Sequence, residues 1–313
     1  TGTHDNGIWS YDGANSTAKW LNIEAGDCGE IAVVSADSLY ANYFTGHKIK
    51  RGKKTGGYWT FNNAVVPMVA NQAGGDRFPN GSQAILVQLH DTLFTTSQRL
   101  FRSTNKGATW QALPSAIPNT VVSGDTLYNV SFMNVLTTAP NNSKIMYVSK
   151  RRYQYSDTYP TAPLINRSND GGNTWLPVYS RTDTIYGTNT AFTPDKMLPN
   201  LHLNRIAVHP TNPDKLWAVF SGYQKNQKVY QSIDGGRSWT NITGGGLPNL
   251  PVNALVVFEK DGLLQLVVGT DVGVYYTNET LISCSGGIQW QDFMQGAAAG
   301  HDFPNVIVQE LEI

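Results

Sequence analysis

The chain has little charge and no long apolar run, and both shortages restrict what it can be. Its 313 residues carry 23 Lys and Arg against 23 Asp and Glu, so the formal net charge is zero. Charged residues make up 15% of the chain, whereas roughly a quarter is usual in soluble domains. A chain without net charge has no overall electrostatic attraction for nucleic acid. No run reaches the roughly 18 apolar residues of a membrane-spanning helix, so we expect no nucleic-acid partner and no direct membrane insertion.

Cysteine and histidine are too few or too scattered for a disulfide framework or a metal site. The two cysteines, Cys28 and Cys284, could form one bridge or remain two separate thiols. The six histidines, at positions 4, 47, 90, 202, 209 and 301, lack ligand spacing. A P-loop, a dinucleotide fingerprint and a Ser/His/Asp nucleophile motif are absent as well. The sequence therefore predicts no metal and no other cofactor.

A motif that ends in tryptophan recurs along the chain and defines its organisation. The pattern S-x-[DN]-x-G-x-[TS]-W occurs in three segments, 103–110, 168–175 and 232–239. Degenerate copies keep only the tryptophan, at Trp20, Trp59 and Trp290. The six tryptophans lie 39, 51, 65, 64 and 51 residues apart, and three of these gaps suit a four-stranded propeller blade of roughly 40–50 residues. The two longer gaps require inserted loops.

Short β-rich runs separated by turn residues fill the stretches between the tryptophans. The last two repeats show four such runs each, at 205–208, 216–220, 229–232 and 238–242, then at 252–258, 264–268, 273–277 and 288–293. No helical stripe of useful length is present. We therefore predict an all-β fold: one β-propeller domain over residues 1–313, built from four-stranded antiparallel blades. The blades are expected at about 1–24, 25–63, 83–113, 128–178, 203–242 and 252–293.

The two ends of the sequence leave the number of blades open. The chain begins inside what should be a second or third strand, and residues 305–313 have the pattern of a first strand. That strand could complete the N-terminal blade and close a six-bladed ring. Alternatively, it starts the next blade of a seven- or eight-bladed ring, which is the arrangement we favour. In that case the chain is a fragment of a longer protein.

The repeated motif has a structural explanation. An Asp or Asn side chain accepts hydrogen bonds from nearby backbone N–H groups and fixes a tight turn, glycine supplies a left-handed conformation, and the tryptophan anchors the last strand in the core. We therefore assign structural roles to twelve motif residues: Ser103, Asn105, Gly107, Trp110, Ser168, Asp170, Gly172, Trp175, Ser232, Asp234, Gly236 and Trp239.

These motifs resemble those of the Asp-box, or BNR-repeat, β-propellers. That group includes sialidases, sortilin-type receptor propellers, xyloglucan-degrading glycosidases and photosystem-assembly-factor-like proteins. Three further runs, at 2–7, 25–29 and 268–276, resemble large secreted propellers of Bacteroidota, which are often cargo of the type IX secretion route. The resemblance implies a secreted or cell-surface location associated with the outer membrane. Thr1-Gly2-Thr3 resembles the inside of a mature chain, so we expect any export signal to have been removed or to lie outside this sequence.

The long loops indicate where a partner would bind. In a propeller, connections between blades and between second and third strands emerge on one face, and hairpins and Asp boxes emerge on the other. The long excursions all fall on the first face, at 65–83, 113–127, 150–163, 179–202 and 243–251. Loops longer than about 12 residues are usually functional or disordered. Exposed tyrosine and arginine are enriched at binding sites, and two of these loops supply the candidates Arg151, Arg152, Tyr153, Tyr155, Tyr159, Arg181 and Tyr186.

A catalytic role has weaker candidates. An inverting glycosidase needs one carboxylic acid and one carboxylate base roughly 6.5–9.5 Å apart. The run 3–9 loosely resembles the segment that carries a catalytic Asp in xyloglucan-degrading propellers, and that resemblance implies Asp5. Asp27 or Glu30 would be the second carboxylate. A turn role for Asp5, before Asn6-Gly7, is the alternative. The sialidase family's Arg-Ile-Pro lead-in is absent, which excludes that activity.

Three functions follow from these features. The first is a non-catalytic, extracellular or cell-surface propeller that binds a protein or glycan partner, as one module of a larger surface protein or assembly. The second is a glycoside hydrolase of the xyloglucanase type. The third is an assembly or scaffold factor that acts only within its complex.

Overall fold

β-Strands dominate the computed structural model. It describes residues 2–3, 7–11, 20–26, 28–43, 48–63, 86–89, 91–96, 100–113, 131–152, 163–179, 196–278, 288–293 and 306–311. These ranges contain 23 strands in six sheets and no α-helix. The all-β prediction is therefore confirmed. No helix within these ranges is long and apolar enough to cross a membrane.

The chain divides into two compact units, and the first comprises Thr1–Ile117 with Val130–Met133. Its first sheet has three strands, β1 (Gly2–Thr3), β2 (Gly7–Tyr11) and β3 (Trp20–Glu24). The second has four, β4 (Cys28–Ser35), β5 (Ser38–Tyr43), β6 (Lys48–Thr55) and β7 (Tyr58–Asn63). The third has β8 (Leu86–Leu89), β9 (Thr92–Thr96), β10 (Leu100–Ser103) and β11 (Gln111–Ala112).

The second unit comprises Pro118–Asn129 and Asn134–Ile313, and it holds three four-stranded sheets. The first contains β12 (Ser131–Ala139), of which residues 134–139 belong to this unit, β13 (Asn142–Arg152), β14 (Leu164–Ser168) and β15 (Leu176–Tyr179). The next contains β16 (Leu203–Val208), β17 (Leu216–Phe220), β18 (Val229–Ser232) and β19 (Thr240–Asn241). The last contains β20 (Val252–Lys260), β21 (Leu263–Thr270), β22 (Gly273–Asn278) and β23 (Gln291–Asp292).

Every sheet is an antiparallel meander in which strands adjacent in sequence pair with each other. Successive sheets of a unit pack face to face, because alternate residues of a strand point to opposite sides. In β17, Leu216, Ala218 and Phe220 join a core with the preceding sheet, and Trp217 and Val219 join a core with the following one. All five residues are buried. A meander sheet buried on both faces is the blade arrangement of a propeller.

The segment 306–311, which the sequence predicts as a first strand, has no ladder of its own in this structure. The Val308 N–H donates to the Thr270 carbonyl at 2.9 Å. Val308 also lies so close to Gly269 that a Cβ built there would be 2.6 Å from Val308 Cγ1. The glycine therefore allows the segment to approach the end of β21.

The two motifs with a Gly-Gly pair have the same hydrogen bonds. In the motif after β18, Asp234 Oδ1 accepts from the Ser232 hydroxyl at 2.7 Å and from the Ser238 N–H at 3.0 Å. The Trp239 indole N–H donates to the Gly236 carbonyl at 3.0 Å. In the motif after β14, the corresponding indole bond of Trp175 is also 3.0 Å. Hydrogen bonds, first of all from the Thr174 hydroxyl, hold the pKa of Asp170 below its usual value.

The third motif, at 103–110, has a lysine where the other two have their first glycine. Lys106 has φ 55° and Gly107 has φ 78°, and the left-handed region is unfavourable for a residue with a side chain. The Tyr40 hydroxyl donates to the Lys106 carbonyl at 3.1 Å and stabilises this turn. The indole N–H of Trp110 is buried and has no partner among the described residues. This motif therefore keeps the bonds among its serine, asparagine and threonine but lacks the indole bond and the first glycine of the other two.

We expect Lys106→Gly to stabilise the protein by about 1 kcal/mol. Glycine adopts the left-handed conformation at little cost, and this gain exceeds the loss that comes from the greater conformational entropy of glycine in the unfolded chain. The urea midpoint of unfolding, followed by tryptophan fluorescence, measures the change. Gly107→Ala is the control and should be destabilising, because a Cβ there would be 2.2 Å from Tyr40 Cζ. A lower midpoint for Lys106→Gly than for the unaltered chain would contradict this account of the turn.

Candidate functional site

The strand pairing determines which connectors share an end of each sheet. In the β16–β19 sheet, Leu203 pairs with Phe220 and Val219 pairs with Val229. The connector 221–228 and the start of β16 therefore lie at one end, which we call the loop end. The Asp-box turn at 232–239 lies at the opposite end, the box end. By the same rule, the connectors 153–163, 180–202 and 242–251 begin and end at the loop ends of sheets in the second unit.

A chain of hydrogen bonds joins two neighbouring sheets at their loop ends. His202 Nδ1 lies 2.8 Å from Asn204 Oδ1, and the Asn204 amide donates to the Val252 carbonyl at 2.8 Å. The Ser221 N–H donates to the His202 carbonyl at 2.9 Å. Asn204 is in the first strand of one sheet, and Val252 is the first residue of the next sheet. Asn204 therefore fixes the start of β20 relative to β16.

Two other first strands make an equivalent contact with the sheet that follows them. The Asn134 amide donates to the Leu203 carbonyl at 2.7 Å. In the first unit, Glu30 Oε2 accepts from the Leu86 N–H at 2.6 Å. Leu86 and Leu203 are each the first residue of their strand. We call Glu30, Asn134 and Asn204 the bridging residues, because each connects the first strands of adjacent sheets.

The connector 221–228 presents an aromatic ring on a well-supported backbone. Tyr223 is 67% exposed. The buried Lys228 donates from Nζ to the Gly222 carbonyl, and its own N–H donates to the Thr243 hydroxyl at 2.9 Å. The Asn241 amide donates to the Asn226 carbonyl at 2.6 Å. Burial lowers the pKa of Lys228.

Two further polar pairs lie near these loop ends. The Asn253 amide donates to Asp271 Oδ1 at 2.8 Å. Arg205 lies 3.9 Å from Glu310 and is about one-third exposed. In the described part of the second unit, the loop ends therefore combine an exposed tyrosine with amide, imidazole and guanidinium groups in defined positions.

Most residues predicted from the sequence to form the site lie outside the described residues. This holds for the catalytic candidates Asp5 and Asp27 and for Tyr153, Tyr155, Tyr159, Arg181 and Tyr186. Arg151 and Arg152 end β13, so their backbone is at a loop end, although their side chains are not described. Lys150, immediately before them, is buried, and burial lowers its pKa to about 8.

Glu30 is the one catalytic candidate whose surroundings the structure shows. Its carboxylate accepts a 2.6 Å hydrogen bond from a backbone N–H. The carboxylate oxygen that takes part in this bond holds the start of β8 in place. The contact thus supports a structural role. No group of three or more potential metal ligands is present among the described residues.

Sequence reasoning missed Tyr223, His202 and the bridging role of Asn204. The connector 221–228 has only eight residues, fewer than the loop length used to select candidates. Its Tyr223 follows Gly222, which has φ 92°. A glycine before an aromatic residue, between two predicted strands, was a signal that could have identified it.

No protein-family model matches the chain. A xyloglucanase of Acetivibrio thermocellus is 28% identical over 184 residues, which cover 57% of this chain and 20% of the enzyme. The crystal structure of an ancestral GH74 enzyme has a TM-score of 0.51 at 14% identity, covering 89% of this chain and 32% of that one. The extracellular domain of a hybrid two-component system from B. thetaiotaomicron has a TM-score of 0.50 at 12% identity, covering 98% of this chain and 34% of that one.

These comparisons identify the fold as a β-propeller of the type found in the GH74 enzyme and in the extracellular two-component domain. The resemblance to xyloglucanase-type propellers that the sequence indicates is confirmed. The chain spans between a fifth and a third of the length of these relatives. Identity of 14% or less to the two structures shows a shared fold and nothing further.

We expect Asn204→Asp to reduce the free energy of unfolding by about 1–3 kcal/mol. The aspartate would keep an acceptor for His202 but would place a carboxylate, which has no donor, opposite the Val252 carbonyl. Urea denaturation measures the loss. Asn249→Asp is the matched control, because Asn249 is exposed and the change in charge is the same. Equal stability of the two variants would show that the contact from Asn204 to Val252 does not hold the sheets together.

Proposed function

We propose that this chain is an extracellular β-propeller module that binds a polysaccharide at the loop ends of its second unit and does not cleave it. The observation that carries the proposal is Tyr223, a two-thirds-exposed ring on a connector held at several points by hydrogen bonds. An aromatic ring in a fixed position stacks on the apolar face of a sugar at little entropic cost. Side-chain amide and hydroxyl groups can form more than one hydrogen bond each, which suits them to sugar hydroxyls.

A neutral polysaccharide is the ligand class that these loop ends fit best. The carboxylates described there already have partners, since Asp271 accepts from Asn253 and Glu310 is opposite Arg205. The predicted contacts Arg151, Arg152, Tyr153, Tyr155, Tyr159, Arg181 and Tyr186 are in or next to connectors at the same loop ends, and they would extend the aromatic surface. Identity of 28% to a xyloglucanase over 184 residues supports a β-glucan as the first polymer to test.

The lack of cleavage is part of the proposal. Glycoside hydrolysis needs a proton donor and a second carboxylate that are both available to the substrate. Glu30 accepts a hydrogen bond from the Leu86 N–H, Asp5 has only the resemblance to xyloglucan-degrading propellers in its favour, and no motif of that resemblance covers Asp27. A location outside the cell, as one module of a larger surface protein, is consistent with the extracellular domain that shares the fold.

We expect Tyr223→Ala to weaken binding of xyloglucan about tenfold, because the loss of a stacking contact worth roughly 1.4 kcal/mol changes an equilibrium tenfold. Retardation in a native gel containing the polymer measures the dissociation constant. Tyr223→Phe keeps the ring and should bind like the unaltered chain. Leu176→Ala is the control for a general effect of removing an exposed apolar side chain, because Leu176 is 59% exposed and directly follows the Asp box at 168–175. Retention of full affinity by Tyr223→Ala would remove the basis of the proposal.

The second candidate function, a glycoside hydrolase, is favoured by the identity to a xyloglucanase. One assay distinguishes the hydrolase from the non-catalytic module: the release of reducing ends from xyloglucan. We expect none from the unaltered chain. Turnover that Asp5→Asn abolishes and Glu30→Gln leaves intact would establish the hydrolase and assign Asp5. Binding without turnover supports the non-catalytic module.

A further inference from the structure

The β6–β7 hairpin of the first unit concentrates positive charge that the zero net charge of the chain conceals. Residues 48–63 contain five of the 23 Lys and Arg and no Asp or Glu. Lys50 forms an ion pair with Glu24. Arg51, Lys53 and Lys54 have no carboxylate within ion-pair distance in the part of the chain that the structure describes. Their charge is therefore not neutralised there.

This hairpin is longer than the outer strands of neighbouring sheets. β6 has eight residues and β7 has six, whereas β10 and β11 of the next sheet have four and two. A two-residue turn closes the hairpin, with Gly56 at φ 58° and Gly57 at φ 88°. Positive φ at both positions is the requirement of the type I′ turn, which lets both strands continue to the tip. In the sheets with an Asp box, a turn of several residues occupies this place.

The two sides of the hairpin have different surroundings. Directly paired residues of an antiparallel ladder point to the same side. Trp59 and Phe61 face the preceding sheet and pack against a core that contains Ile8 and Leu39. A Cβ at Gly52 would be 2.6 Å from Phe61, so that ring lies directly over the glycine. This side is covered by protein.

The other side is exposed along the outer half of the sheet. The ladder pairs Arg51 with Asn62, Lys53 with Thr60, and Thr55 with Tyr58, and all six side chains are exposed. Only the inner part of this side, including Tyr40 and Ile49, is buried against the next sheet. The guanidinium of Arg51 is held 5.8 Å from the centre of the Tyr40 ring. The six exposed residues Arg51, Lys53, Thr55, Tyr58, Thr60 and Asn62 form what we call the basic strip.

Lysine on an edge strand often serves only to prevent sheets from joining edge to edge. That explanation does not fit this hairpin. The edge strand β7 has the sequence Tyr-Trp-Thr-Phe-Asn-Asn and carries no charge, and the basic residues are on β6, one strand further in. An 80%-exposed tyrosine on the edge strand would itself favour association. The arrangement is that of a contact surface rather than of a protected edge.

We propose that the basic strip binds an anionic polysaccharide. Two cations two positions apart on one strand are about 7 Å from each other, and both are on the same side as hydroxyl and amide groups that can bond sugar hydroxyls. Tyr58 adds one ring at the tip for stacking. Single-stranded nucleic acid is bound through a series of stacked aromatic residues, and a membrane surface is bound through a large apolar face or a cluster of about four or more basic residues; the strip has none of these. The carboxylates or sulfates of the polymer would neutralise Arg51 and Lys53.

The test is binding of polygalacturonate, with uncharged dextran of similar length as the reference polymer. Gel retardation at several salt concentrations gives both the affinity and its salt dependence. The double variant Arg51→Gln/Lys53→Gln should bind at least tenfold more weakly and lose most of the salt dependence, because two released counterions contribute a slope between one and two. Tyr58→Ala should weaken binding with the slope unchanged, and Tyr58→Phe should restore it.

Two controls separate this surface from general charge and from the loop ends. Lys144→Gln/Lys260→Gln removes the same charge from exposed positions of the second unit and should leave binding unchanged. Tyr223→Ala should also leave polygalacturonate binding unchanged. A failure of the basic-strip proposal can therefore be distinguished from a failure of the loop-end proposal. Equal weakening by both double variants would overturn the proposal. Tighter binding of an oligothymidylate of matched charge, or of phosphatidylglycerol vesicles, would overturn it in favour of nucleic acid or membrane. Melting curves by circular dichroism verify that each variant is folded.

Discussion

Burial of inner strands on both faces of a sheet, as in the β16–β19 sheet, is the constraint on which the rest of this structure depends. A strand such as β17 supplies one core through Leu216, Ala218 and Phe220 and another through Trp217 and Val219. Sheets with two buried faces have polar groups free only at their ends and outer strands. The Asp boxes satisfy backbone groups at one end, and the bridging residues connect backbone groups at the other. Function is therefore confined to loop ends and to outer strands that extend beyond their neighbours.

The fold could be predicted from the sequence because its signal is repeated and local. A motif that combines a turn with a tryptophan anchor needs no knowledge of distant residues, and three copies in register, at 103–110, 168–175 and 232–239, specify the period. Each sheet then follows from short β-rich runs. The bridging residues could not be predicted in this way. The partner of Glu30 is a backbone N–H 56 residues away, and the partner of Asn134 is a carbonyl 69 residues away.

The candidate site was predicted only in part, for a related reason. Loop length and composition identify long connectors, but they carry no information on how firmly a short one is held. The connector of Tyr223 depends on its own last residue, Lys228, and on Asn241 and Thr243 at the end of the last strand of the sheet. The basic hairpin could not be predicted either, because a net charge of zero gives no indication that β6–β7 is strongly basic. Both features depend on which side chains the strand pairing brings to one side.

The tryptophan anchors have a spectroscopic consequence. Trp110, Trp175, Trp239 and Trp290 are buried, and each belongs to a different sheet. The indoles of Trp175 and Trp239 donate to a carbonyl, whereas those of Trp110 and Trp290 have no partner among the described residues. Hydrogen bonding shifts indole emission to longer wavelength. Buried Trp217 is a second indole in the β16–β19 sheet, so the emission of the folded chain combines hydrogen-bonded and unbonded indoles from four sheets.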